Sequence, residues 1–155
     1  MRVGTGYDSH RFADPGDGRR LVLAGVEVEH DRGLAGHSDA DVVTHAVIDA
    51  LLGAAGLGDL GTHFPDDDEV WRDADSLDLL RTVLGELPGP VLNVDATVIC
   101  ERPKLAEHRA EMEFNLRETL GAPASVKATT NEGMGWVGRG EGIACIAVAL
   151  VDLGA

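Results

Sequence analysis

Residues 39–55 carry one unbroken helical pattern, closed at both ends. Val43, Val47, Ala50, Leu51 and Ala54 recur at helical spacing and make an apolar stripe. Ser38 reads as the N-cap, and Asp41, three residues on, resembles a capping box. Gly56 and Gly58 stop the helix. Asp41, His45 and Asp49 lie four apart, so they stack along another face. A helix apolar on one side must bury that side, and strand-like segments surround it. Residues 2–7 and 21–28 read as strands, separated by a turn-rich stretch at 13–20. Residues 90–100, 126–130 and 143–151 read as further strands.

Two more helices are predicted. One spans 74–86, with Leu77, Leu80 and Leu84 on one side. The other spans 103–120, with Pro103 as first residue and Gly121 just past the end. Strands interleaved with three helices predict an α/β (α+β) two-layer sandwich with the helices on one face of a mixed sheet. Residues 1–155 make a single domain. The sheet's other face then needs cover, which a trimer packed through the sheets would supply.

No apolar run reaches the length of a membrane span, and the chain runs from Met1 directly into a strand without a signal peptide. Cys100 and Cys145 sit in apolar strands and read as buried free thiols, so the expected location is cytoplasmic. The formal net charge is -14. Such a chain has no basic field for nucleic acid or an anionic membrane. Phosphate must be bound locally, by metal ions, helix N-termini or loop amides. The acidity is equally readable as a solubility adaptation.

Two short stretches suit that task. Asp8 and His10 are two apart in an extended segment, so they point to the same side. His45 can add a third ligand from the helix, and two His with one carboxylate and an open position suit a catalytic zinc. Asp49, one turn on, would orient His45 as its outer-shell partner. A polar strand end and a solvated helix face would look the same. His37 and Ser38 precede the helix, where free amides and the dipole favour an anion.

Asp59, Asp66, Asp67 and Asp68 crowd a loop at 57–68, which reads as a surface turn or as a site for hydroxyls. Thr129, Thr130, Asn131 and Glu132 lead into five glycines between 133 and 142. A plain hairpin needs one glycine, so the backbone there approaches something closely. Glu132 is placed to hold Mg²⁺ beside substrate phosphates. The chain has no P-loop and no dinucleotide-binding glycine fingerprint.

Together these residues resemble the 2-C-methyl-D-erythritol 2,4-cyclodiphosphate synthases of the non-mevalonate isoprenoid pathway, over the whole chain. The signatures are Gly6-Tyr7-Asp8-Ser9-His10, His37-Ser38-Asp39-Ala40-Asp41 through His45, Gly58-Asp59-Leu60-Gly61 with Phe64-Pro65-Asp66, Pro103-Lys104-Leu105, and residues 127–142. The resemblance implies Zn²⁺ on Asp8, His10 and His45, and a second ion, Mg²⁺ or Mn²⁺, on Glu132. It gives His37, Thr130 and Glu132 catalytic roles, with phosphate held by His37 and Ser38. It places a methylerythritol near Asp59, Gly61, Phe64, Asp66 and Asp68. It places cytidine among Cys100, Pro103, Lys104, Leu105, Thr129 and Thr130, with Asn131, Trp136 and Arg139 completing the substrate site.

The resemblance also implies a homotrimer with active sites between subunits. The substrate is a small diphosphocytidyl compound, with no nucleic-acid or membrane partner. Some such proteins bind an isoprenoid diphosphate in the central cavity near the position of Arg139. Tyr7 and Trp136 stand where phenylalanine is common, and Ile146 where some members have glutamate. Two other functions fit the same residues. One is a zinc-dependent phosphohydrolase of nucleotide diphosphates; the other is a non-catalytic module binding nucleotides or isoprenoid diphosphates.

Overall fold

The computed structural model describes residues 1–154. In chain order the elements are β1 (Arg2–Arg11), β2 (Leu21–Leu23), β3 (Val26–Val28), α1 (Val42–Ala55), α2 (Leu60–His63) and a 3₁₀ turn (Glu69–Trp71). There follow α3 (Ser76–Glu86), β4 (Val91–Ile99), α4 (Arg109–Leu120), β5 (Ala124–Thr129), α5 (Gly135–Gly138) and β6 (Gly142–Val151).

Four strands form a mixed sheet in the order β1-β6-β4-β5. β6 is antiparallel to both β1 and β4, while β4 and β5 run parallel. That parallel pair needs a crossover, and α4 provides it. Helices α1 and α4 pack on the sheet and α3 packs against both of them, so the helices share one side of the sheet, as the strand and helix pattern predicts. Tyr7 pairs with Ile146 and Thr5 with Val148 on the bare face, where Val3, Tyr7, Ile146 and Val148 are exposed.

Helix α1 is the centre of the molecule. Its stripe is not the only buried side: apart from Asp49, Gly53 and Ala55, every residue of the helix is buried or nearly so. The sheet covers one side, and α3 and the β2–β3 hairpin cover the others. Two glycines of β1 set how close the helix lies. A Cβ on Gly6 would meet Ala46 O at 1.9 Å, and one on Gly4 would meet Ala50 O at 2.0 Å. The strand therefore presents bare backbone to the helix, and the side chains at the next even positions, Asp8 and His10, come within reach of His45.

The structure corrects four sequence expectations. Residues 21–28 are not one strand but a hairpin turning at Ala24 and Gly25, both at positive φ (49° and 70°). Two-residue hairpin turns require that conformation, and Ala-Gly signals it far more weakly than Asn-Gly. Helix α4 starts at Arg109, not Pro103, because Leu105 is buried and the intervening residues form turns. A short helix, α2, interrupts the expected loop at 57–68.

The fourth correction changes the chemistry. The N-cap of α1 is Asp41, not Ser38. Asp41 accepts from the Val43 and Thr44 amides at 3.1 and 3.0 Å and from the Thr44 hydroxyl at 2.7 Å. It also accepts from the Ala24 and Gly25 amides of the hairpin turn, both at 2.8 Å. Asp41 is fully buried. Burial pushes its pKa up and the charge of Asp39 adds to that, against the pull of the donors around it. Its carboxylate already occupies the amide end of α1, so that end is closed to phosphate.

Candidate metal and phosphate site

Asp8 and His10 project from the same face of β1, and His45 meets them from the first turn and a half of α1. One ligand atom from each lies within 4.8 Å of the others. Asp8 Oδ2 is 3.0 Å from His10 Nε2 and 3.1 Å from His45 Nδ1. The two ring nitrogens are 3.2 Å apart.

The other nitrogen of each ring is engaged. His10 Nδ1 lies 2.8 Å from the Ala35 carbonyl, which can only accept, so that nitrogen carries the proton. His45 Nε2 lies 2.9 Å from Ser76 Oγ and 3.2 Å from Ser38 Oγ. His10 Nε2 and His45 Nδ1 thus turn toward each other and toward a carboxylate. Such a trio repels itself unless a cation sits among it, so the donor set fits a divalent ion with one position open.

Without the ion, a proton takes that part. Burial works against the charged form of His10, yet the Asp8 hydrogen bond and charge raise its pKa above the ordinary value. Burial likewise opposes ionisation of Asp8, and its pairing with His10 and His45 overcomes it, holding the carboxyl well below its usual range.

Asp49, expected to orient His45, does something else. Its Oδ1 accepts from the Leu60 amide at 2.7 Å and fixes the start of α2. The partners of His45 are the two serine hydroxyls. Ser76 lies 31 residues from His45 along the chain, at the first position of α3. A serine or threonine at a helix start is commonplace, and no local signal marks this one.

The three ligands open onto a cavity of about 480 Å³ lined also by Gly36, His37, Ser38, Leu60, Phe64, Asp66, Trp71 and Leu79. His37 donates through Nε2 to the Asp68 carbonyl at 2.9 Å, which leaves Nδ1 as its free ring nitrogen. Phe64 and Trp71 meet edge to face at 4.9 Å and give one wall an apolar surface. Leu60, Trp71 and Leu79 were not anticipated, since apolar residues in helices and turns are read by default as core. Asp59 and Gly61 are not among the lining residues. The Asp59 carboxylate caps α2 through the Thr62 amide and hydroxyl, both at 2.8 Å. Asp68 caps the 3₁₀ turn at the Val70 amide.

The other expected site residues gather elsewhere. Cys100, Pro103, Lys104, Leu105, Thr129 and Thr130 line a second cavity, of about 240 Å³, with Arg109 and Ala128. Burial raises the Cys100 thiol to about 11, so it is a neutral wall and not a nucleophile. Glu101, unforeseen, accepts from the Asn131 and Gly133 amides at 2.9 and 3.2 Å and holds the glycine loop to this cleft. The Thr130 hydroxyl donates to Glu132 at 3.2 Å, and Glu132 is exposed at φ 52°. Trp136 is half-buried in α5, and Arg139, exposed at the end of that helix, pairs with Glu141 at 2.6 Å.

The two cavities lie at opposite edges of one sheet. Asp8 pairs across to Cys145, Cys145 to Val98, and Val98 to Ala128. The metal ligands and the Thr129–Glu132 segment thus share a level along the strands. They stand three strand spacings apart, or roughly 14 Å.

Fold and site together define an α+β protein with an open position for a divalent cation beside a ligand-sized cavity. A family model, the YgbB family, matches residues 1–152, and the chain belongs to that family. It is 58% identical over 156 residues to the 2-C-methyl-D-erythritol 2,4-cyclodiphosphate synthase of Rubrobacter xylanophilus, covering 97% of this chain and 94% of that one. It is 58% identical over 161 residues to the Salinibacter ruber protein of the same name, covering 98% and 99%.

Among solved structures, the bifunctional IspDF of Campylobacter jejuni superposes with a TM-score of 0.89 at 39% identity, covering 96% of this chain and 41% of that one. A CDP-bound 2C-methyl-D-erythritol-2,4-cyclodiphosphate synthase gives 0.86 at 34% identity, covering 97% and 100%. No helix among the described residues is long and apolar enough to cross a membrane.

Proposed function

We infer that this chain closes the ring of 2-C-methyl-D-erythritol 2,4-cyclodiphosphate. The observation that carries the reading is the metal-type trio of Asp8, His10 and His45 at the mouth of a cavity lined by His37 and Ser38, in a chain whose relatives carry that activity by name. The substrate is 4-diphosphocytidyl-2-C-methyl-D-erythritol 2-phosphate. An oxygen of its 2-phosphate forms a bond to the β-phosphorus, the bond from that phosphorus to the α-phosphate oxygen breaks, and CMP leaves with the electron pair.

The nucleophile is already an anion, so no residue need remove a proton. The obstacle is the repulsion between two phosphate groups. Asp8, His10 and His45, and Glu132, would hold divalent ions, which when bound would supply positive charge where the transition state gathers negative charge. Ser38 and His37 hold the attacking phosphate through the hydroxyl and a ring nitrogen. The closed end of α1 removes the helix amides from this work, so these two side chains carry it. Leu60, Phe64 and Trp71 exclude water beside the carbon skeleton, which favours ring closure over hydrolysis. Holding attacker and target in line is worth up to roughly 7–11 kcal/mol in well-oriented intramolecular reactions. Thr130 ties Glu132 in place. We assign Zn²⁺ to the trio because two imidazoles and a carboxylate suit it, and Mg²⁺ or Mn²⁺ to Glu132 because a lone carboxylate beside phosphates suits those ions.

The nucleotide belongs in the cleft of Cys100, Pro103, Lys104, Leu105, Thr129 and Thr130. CDP complexes of two solved relatives support a cytidine site somewhere on this fold. Since one chain's two cavities lie at opposite sheet edges, we assign each active site to two neighbouring subunits of a homotrimer. The exposed apolar residues Val3, Tyr7, Ile146 and Val148 on the bare sheet face support that packing. The expected compartment is the cytoplasm.

Incubation with the substrate and both metals in ¹⁸O-water tests the reading. Ring closure gives CMP and a cyclic diphosphate without ¹⁸O. An open monophosphate carrying ¹⁸O would instead identify a phosphohydrolase, and binding without CMP release a non-catalytic module.

A further inference from the structure

His45 Nδ1 faces Asp8 and His10, but the trio itself does not fix which ring nitrogen carries the proton. Asp39 lies in the loop before α1, and Ser76 is the first residue of α3, 37 positions away. The Ser76 amide donates to Asp39 Oδ2 at 3.0 Å, and the Ser76 hydroxyl donates to Asp39 Oδ1. Ser76 is fully buried, and every buried side-chain polar atom among the described residues has a partner. Ser76 Oγ also lies 2.9 Å from His45 Nε2. A carboxylate only accepts, so the one hydroxyl proton of Ser76 is committed to Asp39. Its oxygen can then only accept from His45, which puts the ring proton on Nε2 and leaves the Nδ1 lone pair facing Asp8 and His10.

Ser38 could not impose this alone. Its oxygen, 3.2 Å from the same Nε2, accepts from the Ala40 amide at 3.2 Å, but its own proton is free to turn. If Ser38 donated to Nε2, the ring proton would move to Nδ1 and block the metal. We propose that Asp39 and Ser76 are positioning residues for the metal ligand His45: they fix its Nε2–H tautomer, aim Nδ1 at the ion, and leave the Ser38 hydroxyl proton free for substrate phosphate. This rests on His45 being a metal ligand, as argued above. Outer-shell partners of ligating histidines typically matter 10–100-fold in metal affinity.

The test compares wild type with Ser76→Ala, Ser76→Thr, Asp39→Asn and His45→Ala. Zinc affinity of the metal-free proteins is measured by competition with a chromophoric chelator. The His45 tautomer is read from ¹⁵N ring shifts of the metal-free proteins at about pH 8, where imidazole is ordinarily neutral. Ser76→Ala is expected to lose about 10–100-fold in zinc affinity and to show an Nδ1–H population; Ser76→Thr, which keeps the hydroxyl, restores both. Asp39→Asn moves the same way as Ser76→Ala and stands in for it if Ser76→Ala does not fold.

If His45→Ala loses zinc while Ser76→Ala and Asp39→Asn keep affinity within about twofold and a pure Nε2–H ring, the relay is wrong and the metal site stands. If His45→Ala itself retains zinc, the metal assignment fails, and the proposal with it.

Discussion

His10 Nε2 and His45 Nδ1 face each other at 3.2 Å, with Asp8 Oδ2 close to both. Two ring lone pairs at that distance ask for a cation. Zinc added to the metal-free protein is therefore expected to raise its melting temperature, by an amount that grows with the logarithm of free zinc. At a hundredfold excess over Kd the gain is about 2.7 kcal/mol. His10→Ala should lose this response. It is the cleaner variant, because His10 is partly exposed, whereas His45 is buried and its removal takes one hydrogen-bond partner from each of two serine hydroxyls. An undiminished zinc response in His10→Ala, followed by calorimetry, would remove His10 from the site.

The same atoms set a pH dependence of opposite sign with and without metal. In the metal-free protein the folded pKa of His10 is raised above 6.5, so its pairing with Asp8 stabilises fully below pH 6.5 and fades as pH rises through the raised value. The folded pKa of Asp8 is lowered from 3.8, so its contribution is present above that pH and fades as pH falls toward the lowered value. Metal-free stability from this pair should thus be greatest between those limits. Zinc must displace the proton, so zinc affinity is expected to climb with pH across the upper limit. Chelator competition at several pH values, alongside denaturant melts of the metal-free protein, checks both slopes.

The approach of α1 to β1 gives a paired expectation about stability. Gly6→Ala puts a methyl 1.9 Å from Ala46 O, where only backbone could yield. It should abolish folding, or cost well over the roughly 1–3 kcal/mol of ordinary overpacking. Gly53→Ala, on the same helix, meets nothing nearer than Thr5 O at 3.7 Å. A helix-interior glycine costs about 1 kcal/mol relative to alanine, so this change should stabilise. Urea melts of the two variants would expose the account if Gly6→Ala proved the milder.

What the sequence showed of this arrangement follows from what is local. Alternation along a strand put Asp8 and His10 on one face, and helix periodicity found α1 and its His45. Whatever depended on distant chain was hidden. The cap at Asp41 is decided partly by the Ala24–Gly25 turn, 16 or 17 residues away, which shares its carboxylate. The burial of His45 follows from the hairpin and α3 closing over a helix whose stripe suggested one covered side. The role of Gly4 and Gly6 in the first strand shows only where a helix backbone lies against them. Asp49 lay one turn from His45 and satisfied the spacing rule, yet the Leu60 amide claimed it.

Glu132 separates function from stability. It is exposed, and it holds a left-handed backbone at φ 52°, which suits glycine better than glutamate. Glu132→Gly relieves that strain while loosening the unfolded chain, two effects of opposite sign and about 1 kcal/mol each. The melting temperature should then move by less than about 4 °C. Turnover should collapse in Glu132→Gly, and equally in Glu132→Gln, which keeps the shape and removes the charge. CMP release near the wild-type rate from either variant would exclude Glu132 from metal or phosphate binding.

The separation of the two cavities makes the oligomer testable through activity. Asp8 and Ala128 stand at opposite edges of one four-stranded row, so the Asp8–His10–His45 trio and the Thr129–Glu132 segment of one chain do not share a cavity. In the proposed trimer, a neighbour packed against the bare sheet face would bring its own edge alongside. His10→Ala subunits retain the loop half of the site, and Glu132→Gln subunits retain the metal half; each homotrimer alone should be inactive. After equal mixing and subunit exchange, an interface is intact when its metal half comes from the second variant and its loop half from the first. Random assembly gives one half of one half, so about a quarter of wild-type activity should return. A site contained within single subunits would return none. Native mass spectrometry showing mixed trimers, with activity still absent, would rule out the shared arrangement.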